Sequence, residues 1–271
     1  MKRRSDLSLG HLWLRARLRL ATRSPRATFF TFVFPLILLL LLNSANSGQD
    51  VTVSTGEKVS FAAYFTPSIA IFALITGCYT TMIFAVSTAR DRGILKRVAG
   101  TPLPVPVFIA AWSASSIITA FSSVFFLIIV GMVFFGVSID PGLIPAAIVT
   151  ILLGGLCLSS MGLAVVTFVR KAESAPAVSN LTMFPILFLS GVFFPIADAP
   201  QWIKDVANIF PVAHLVDAFT ACFDPATTGS GFTGDLWNPL IWTAVGLFVA
   251  TRRFRVEMTA AGGDRRRAAT A

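Results

Sequence analysis

The chain has 271 residues, of which 55% are hydrophobic and only 13% are charged. Soluble domains usually carry about 25% charged residues. This chain therefore has too little polar surface for a water-facing fold, and its composition indicates a membrane protein. A net charge of +9 could indicate nucleic-acid binding. The basic residues, however, lie between apolar stretches and form no basic face with aromatic side chains, so we expect no nucleic-acid partner.

Residues 1–26 precede the first apolar run and contain a helical pattern with two apolar stripes. One stripe contains Leu9, Leu12, Trp13, Ala16 and Leu20. The second, on nearly the opposite side, contains Leu7, Leu14 and Leu18, and Arg15, Arg17 and Arg19 separate the two. A basic amphipathic helix can lie on anionic lipid headgroups. Two stripes favour an interface helix held between the membrane and a protein partner.

Six apolar segments follow, and each is long enough, or nearly so, to cross a membrane. A spanning helix needs about 20 mostly apolar residues. The segments are 27–43, 65–86, 107–137, 143–169, a stretch within 175–194, and 236–250. We therefore expect an all-α integral membrane protein whose transmembrane domain covers residues 27–250. Glycines and serines at 154–162 predict close helix contacts in the fourth segment, within the chain or between subunits.

The lysines and arginines predict the orientation of these segments. All but Lys58 and Lys204 of the 22 basic residues lie before the first segment, after the second, after the fourth or after the sixth. By the positive-inside rule that side is cytoplasmic. We expect a multi-pass protein of the plasma (inner) membrane with both termini in the cytoplasm. Residues 251–271 form a basic tail, which we expect to be disordered from Ala260 onward.

The largest external segment, 195–235, lies between the fifth and sixth spans. Apolar residues recur there at near-helical spacing, at Trp202, Ile203, Val206, Ile209 and Phe210. This pattern predicts short amphipathic helices at the outer membrane interface, interrupted at Pro211.

The cytoplasmic loop 90–102 is highly charged and contains Gly93, Gly100 and Pro102. Between them, Ile94, Leu95 and Val98 share one face of a two-turn helix. Such a helix, joined to the second and third spans, could transmit a push from a cytoplasmic motor. An ordinary solvated loop explains the same charges.

Three stretches resemble ABC-2 type transporter permeases, particularly the daunorubicin-resistance-like drug-export branch. Residues 23–26 leading into 29–42 are similar to the family's entry to span one, and 190–195 with 200–202 and 210–218 to its span-five exit and external helices. The loop resembles the motif E-R-E-x-G-T-L-E-R-L-x-x-T-P, with Asp91, Gly93, Leu95, Arg97, Thr101 and Pro102 in place. Ile94 and Lys96 depart from it, and Lys96 reverses a charge.

The resemblance implies that the loop is a coupling helix, which docks on a separate ABC ATPase subunit. Its contact residues would be Arg90, Asp91, Gly93, Leu95, Arg97, Thr101 and Pro102. A second permease copy or a sister permease would complete the membrane part. The chain has no G-x-x-x-x-G-K-[ST] motif, so we expect no cofactor here and ATP with Mg on the partner. No catalytic cluster is visible, and the three cysteines lack metal-ligand spacing.

The source of energy separates the remaining functions. An ion-coupled secondary transporter usually needs ionisable side chains within its spans, and 65–86, 107–137, 143–169 and 236–250 have none. We expect an ATP-driven exporter that moves apolar or amphipathic compounds, such as drugs or lipids, out of the cytoplasm or inner leaflet, as in antibiotic efflux. Export of a lipid-linked glycan is the alternative.

Overall fold

The computed structural model describes residues 29–52, 58–99, 105–169, 171–193, 199–223 and 236–269. The predicted interface helix lies outside these residues, with Leu9, Leu12, Trp13, Leu14, Arg15, Leu18 and Arg19. Thr101 and Pro102 of the coupling loop lie outside them too, whereas the other predicted contact residues of that loop lie within them.

The first half of the chain forms a helix, a hairpin and a long composite rod. A π-helical turn, Phe29–Val33, leads into α1 (Phe34–Ala45). The strands β1 (Asp50–Thr52) and β2 (Lys58–Ser60) pair antiparallel, with Val51 opposite Val59. The rod consists of α2 (Phe61–Ile75), a π-helical turn (Thr76–Thr80) and α3 (Thr81–Asp91). The Ser60 hydroxyl caps its first turn by accepting from the Ala63 amide at 3.3 Å.

In the second half, every regular element among the described residues is a helix or a helical turn. It contains α4 (Ile94–Ala99), α5 (Val105–Phe135) and α6 (Ile144–Val166), the last preceded by a 3₁₀ turn, Pro141–Leu143. A second 3₁₀ turn, Ala172–Ser174, leads into α7 (Ala175–Leu189). The last helices are α8 (Gln201–Ile209), α9 (Pro211–Ala221) and α10 (Trp237–Ala269).

Among the described residues, three helical stretches are long and apolar enough to cross a membrane, namely Phe61–Asp91, Ile109–Phe135 and Pro141–Val166. They coincide with the predicted second, third and fourth spans. Phe29–Ala45 is a shorter apolar helix at the predicted first span. α7 and α10 lie where the fifth and sixth were predicted. The helical, multi-pass membrane class is therefore confirmed, whereas the count of six spans stays a prediction.

Two features differ from the expectations. The hairpin β1–β2 adds strands to a chain expected to be all-α, because three-residue strands leave almost no periodic signal. The helix α10 continues to Ala269, where disorder was expected from Ala260. Its last part is rich in alanine and arginine, which favour helix.

The composite rod is the centre of the fold. Of its most apolar window, 78% is buried, against 33% for Ile109–Phe135. α6 packs on the rod closely enough that a Cβ at Gly162 would lie 2.8 Å from the Tyr79 carbonyl oxygen. At Gly246 of α10, a Cβ would lie 2.8 Å from the Ser160 carbonyl carbon. The small residues of the fourth span therefore serve contacts within the chain.

The helices α8 and α9 meet at Pro211, as predicted, but differ in their surroundings. α8 is amphipathic, with Trp202 and Ile209 exposed. In α9, residues 211–216 are all buried, and Leu215 touches the position of Gly154 in α6. α9 is therefore part of the core, although an amphipathic interface helix was predicted there.

Candidate functional site

The end of α3 leads into α4 through a glycine turn. The Arg92 amide donates to the Thr88 carbonyl oxygen at 3.0 Å, and the Gly93 amide donates to that of Arg90 at 2.9 Å. Gly93 has a φ of +68°, a left-handed conformation that a side chain disfavours. Glycine is needed here for its backbone rather than for space, because a Cβ would meet nothing within 4 Å.

Leu95 of α4 faces the core of the chain. It is 8% exposed and belongs to the main cluster of buried apolar residues. α4 packs against α3 and α10. Arg97, by contrast, is exposed. We predicted that both residues contact a partner, but the apolar contact of Leu95 lies within this chain.

Arg90 joins the end of α3 to the end of α6. Its Nη1 donates to the carbonyl oxygen of Val166 at 3.2 Å and to that of Val169 at 2.6 Å. The last four carbonyl groups of an α-helix lack partners within the helix and form the negative end of its dipole. A guanidinium group is well suited to this position, because it is a cation with several donors.

Asp91 makes the complementary contact to the segment before α7. Its Oδ2 accepts a hydrogen bond from the Ala172 amide at 2.7 Å. Ala172 begins the 3₁₀ turn Ala172–Ser174, where the first amide groups are free. A carboxylate accepts such hydrogen bonds in the way an N-cap residue does.

Cationic side chains from α10 reach the same region. The guanidinium carbon of Arg253 lies 5.8 Å from the centre of the Phe168 ring, and that of Arg252 lies 4.9 Å from the Phe248 ring. Both distances permit cation–π attraction. We call the region formed by Arg90, Asp91, α4, residues 166–169 and 171–172, and Arg252–Arg253 the basic end of the molecule. It brings together α3, α6, α10 and the start of α7.

Comparison with known proteins identifies the family. The profile described as ABC-2 type transporter matches residues 9–223, which is most of the chain. The chain belongs to the ABC-2 type transporter family. The profile match covers every described residue of the basic end except Arg252 and Arg253 of α10.

Individual relatives agree with this assignment. The chain is 24% identical over 201 residues to "Probable multidrug ABC transporter permease YbhR" of Escherichia coli (strain K12), covering 73% of this chain and 54% of that protein. It is 34% identical over 71 residues to Nodulation protein J of Rhizobium meliloti (strain 1021), covering 26% of this chain and 27% of that protein. The matched region thus spans about half the length of the first relative and about a quarter of the second.

The predicted coupling residues that the structure describes in this ABC-2 family member fall into three groups. Arg90, Asp91 and Leu95 contact the chain itself, Gly93 forms the turn, and Arg97 is exposed. Sequence analysis did not predict the role of residues 166–169 and 171–172, although the positive-inside count placed the basic residues after the fourth span on the same side. It also missed Arg253, which we regarded as part of a basic tail.

The remaining chemistry-bearing residues that the structure describes form no second site. Among these residues, no group of three or more His, Cys, Asp or Glu could hold a metal ion. Cys78, Cys157 and Cys222 are free thiols, and all three are buried, as expected for packed cysteines. Cys222 lies beyond the end of α9, outside the spans, and burial raises the pKa of its thiol to about 11.

Proposed function

We propose that this chain is the transmembrane subunit of an ATP-driven exporter of apolar or amphipathic compounds, such as drugs or lipids. A separate ABC ATPase subunit would dock at the basic end. The observation that carries the proposal is the placement of α4. Leu95 fixes this short helix to the core, and Arg97 projects from it. A helix fixed in this way can pass a displacement of a docked partner to the bundle.

The composition of the spans supports an energy source outside the membrane. No Asp, Glu, Lys, Arg or His occurs in 61–89, 105–135, 141–166 or 175–189. Proton- or ion-coupled transport would require such residues, so an ion-coupled secondary transporter is the weaker candidate. The apolar walls also favour an apolar or amphipathic substrate. Export of a lipid-linked glycan remains the second substrate class.

The proposal includes an orientation and an assembly. The basic end would face the cytoplasm, with both termini on that side and six spans in the inner membrane. Two permeases, identical or sister chains, would form the membrane part with two ATPases. Membrane lipids would surround the exposed apolar side chains of α1, α5 and α7.

Orientation can be tested by labelling introduced cysteines in sealed cells. Because the native thiols are buried, and that of Cys222 has a raised pKa, a membrane-impermeant maleimide should give a low background. We expect labelling of Thr228→Cys from outside and none of Ala268→Cys until the cells are opened. The opposite pattern would overturn the orientation.

Docking can be tested by charge reversal at Arg97. The ATPase that copurifies from native membranes would be titrated onto the purified permease, and its ATP hydrolysis measured. We expect Arg97→Glu to weaken association about ten-fold, or about 1.4 kcal/mol, with unchanged folding. Lys58→Glu provides the same charge change at the exposed hairpin as a control. Equal affinities for both variants would contradict docking at α4.

The chain alone provides a third test of the proposal. It should hydrolyse no ATP, because it lacks a phosphate-binding loop. Adding the ATPase subunit should give turnover. If the isolated permease hydrolysed ATP as fast as the complex, the assignment of ATP hydrolysis to a separate subunit would be wrong.

A further inference from the structure

Two adjacent residues of opposite charge at the end of α3 each contact backbone groups that carry the opposite partial charge. Arg90 meets the carbonyl end of α6, and Asp91 meets the amide end of the turn that leads into α7. The acceptors and the donor are backbone groups distant in the chain from α3. Arg90 therefore lies beside the negative end of α6, and Asp91 lies beside the positive amide end of the turn that leads into α7.

We propose that Arg90 and Asp91 are positioning residues that carry a displacement of α4 to α6 and α7, rather than contacts to the ATPase. This inference rests on the proposed function, because it assumes that a partner moves α4. Both side chains use hydrogen-bonding atoms on this chain, and Arg90 is half-buried. Neither observation suits a residue whose main contact is an outside partner.

The covalent structure explains why such a connection is needed. α4 is bonded directly to α3 and continues toward α5, so a push on it reaches those helices first. α6 and α7 are joined to each other through residues 167–174 but not to α4. The hydrogen bonds of Arg90 and Asp91 add to the packing of α6 and α7 on α3, and the two residues lie immediately before the Gly93 turn that starts α4. A stroke at α4 would thereby reach α6 and α7 as well as α3 and α5.

The contact also fits the physical demands of force transmission. Arg90 donates one Nη1 group to two carbonyl oxygens, so the guanidinium is held at two points. The Asp91 bond to Ala172 is charge-assisted and short, at 2.7 Å. Phe168, in the same segment, is 67% exposed, whereas Val166 and Val169 are buried in the main apolar cluster. The polar contacts therefore act beside apolar packing and fix this segment to the end of α3 at defined atoms.

The test uses the complete complex of permease and ATPase in lipid nanodiscs. Hydrogen–deuterium exchange would be measured without nucleotide and with ATP plus orthovanadate, for peptides covering 94–99 and 172–180. In the natural sequence we expect nucleotide to change the exchange of both segments. In Asp91→Ala, and in the charge exchange Arg90→Asp with Asp91→Arg, the response at 94–99 should persist. The response at 172–180 should fall by about five-fold or more.

Two further variants separate positioning from folding. Asp91→Asn keeps an oxygen acceptor for the Ala172 amide and should retain most of the response at 172–180. Lys171→Ala removes an exposed charge from the same segment and should leave both responses unchanged. Thermal unfolding would verify that each variant is folded. If the charge-exchange variant does not fold, the comparison of Asp91→Ala with the conservative Asp91→Asn still provides the test.

The outcomes distinguish this inference from the function on which it rests. If the natural complex shows no nucleotide response at 94–99, the proposed coupling site is wrong. If it responds at 94–99 but not at 172–180, or if Asp91→Ala retains both responses, the relay is wrong although the coupling site stands. If Asp91→Ala abolishes the response at 94–99 as well, Asp91 acts in docking, which also overturns the inference.

Discussion

The helices α6 and α7 follow each other in the chain but are held in the fold by different kinds of contact. α6 buries 13 of its 23 residues, on several sides. α7 buries only Ala175, Ser179, Met183 and Leu187 of its 15 residues, a single stripe at every fourth position. Its other faces expose apolar side chains, and Leu181 is 76% exposed.

The contacts of α6 depend on the absence of side-chain atoms. Gly162 faces the Tyr79 carbonyl, and Ser160 lies against Gly246 of α10. In such contacts two helix backbones approach directly, so there is one well-packed relative position and little room for another.

The contacts of α7 depend on hydroxyl groups. The hydroxyls of Tyr79 and Thr182 lie 2.6 Å apart. The Thr80 hydroxyl donates to the Met183 sulfur at 3.1 Å and accepts from Ser179 at 3.4 Å. Beyond the end of α7, the Tyr64 hydroxyl donates to the Gly191 carbonyl oxygen.

The difference shows which helix can move at low cost. Hydrogen bonds between side chains in membranes contribute about 0.6 kcal/mol each on average, and hydroxyls can exchange partners by rotation. Displacing α6 would instead open voids or force backbones together. We therefore expect α7 to be the helix that shifts relative to the rod during a transport cycle, whereas α6 keeps its place against the rod and α10.

The largest effect is expected for Gly246→Ala, which fills the contact between α10 and α6. The new Cβ would lie 2.6 Å from the Ser160 hydroxyl and 2.9 Å from its carbonyl oxygen. Because backbone atoms cannot rotate away, the helices must separate, and overpacking of this kind costs about 1–3 kcal/mol or more. The measurement is the midpoint of thermal unfolding in detergent.

Gly142→Ala provides the matched control for that substitution. Its new Cβ would meet only the Asp140 carboxylate, at an ordinary 3.4 Å, so we expect a change within about 0.5 kcal/mol. An equal midpoint for Gly246→Ala and Gly142→Ala would show that the interface between α6 and α10 adapts, and α6 would then be held no more rigidly than α7.

A smaller effect is expected for Gly154→Ala, in the same helix. Here the new Cβ would meet Leu215 and Leu74 side chains at 3.0 and 3.1 Å. The contacted atoms are the ends of flexible side chains, which can shift by rotating. We expect a loss of about 1 kcal/mol, below that of Gly246→Ala in the same unfolding measurement. A larger loss at Gly154 would mean that side-chain packing, rather than backbone approach, limits α6.

Sequence patterns predicted the parts of this fold that depend on composition. Long apolar runs marked the second, third and fourth spans, because a membrane helix must be apolar along its whole length. The small residues of the fourth span predicted close packing. Pro211 predicted the boundary between α8 and α9, since proline lacks the amide needed to continue a helix.

The same patterns could not predict which part of the molecule each helix face contacts. Leu95 lies on an apolar stripe, which can face a partner or the chain's own core, and only the tertiary fold decides. The contacts of Arg90 and Asp91 were not predictable, because their partners are backbone groups, which every residue has. For the same reason the sequence could not show that α9 enters the core at Gly154.

The smallest effects are expected where hydroxyls hold α7, and two tyrosines allow them to be ranked. Tyr64→Phe removes a donor from the buried Gly191 carbonyl oxygen. A buried acceptor that loses its donor costs about 1–3 kcal/mol, so we expect a loss near the lower end of that range, measured by the same unfolding midpoint. The substitution keeps the ring, so differences in packing should be slight.

Tyr79→Phe should cost less than Tyr64→Phe, because Thr182 keeps bonds of its own. The Thr182 hydroxyl donates to the carbonyl oxygens of Val178 at 2.8 Å or Ser179 at 3.1 Å. Since it has one proton, Tyr79 is the donor in their contact. Removing that donor leaves Thr182 satisfied, and we expect a loss of about 0.6 kcal/mol, with faster hydrogen exchange confined to α7. If Tyr79→Phe lowered the unfolding midpoint as much as Gly246→Ala, hydroxyls would hold α7 as firmly as close packing holds α6, and α7 would not be the movable helix.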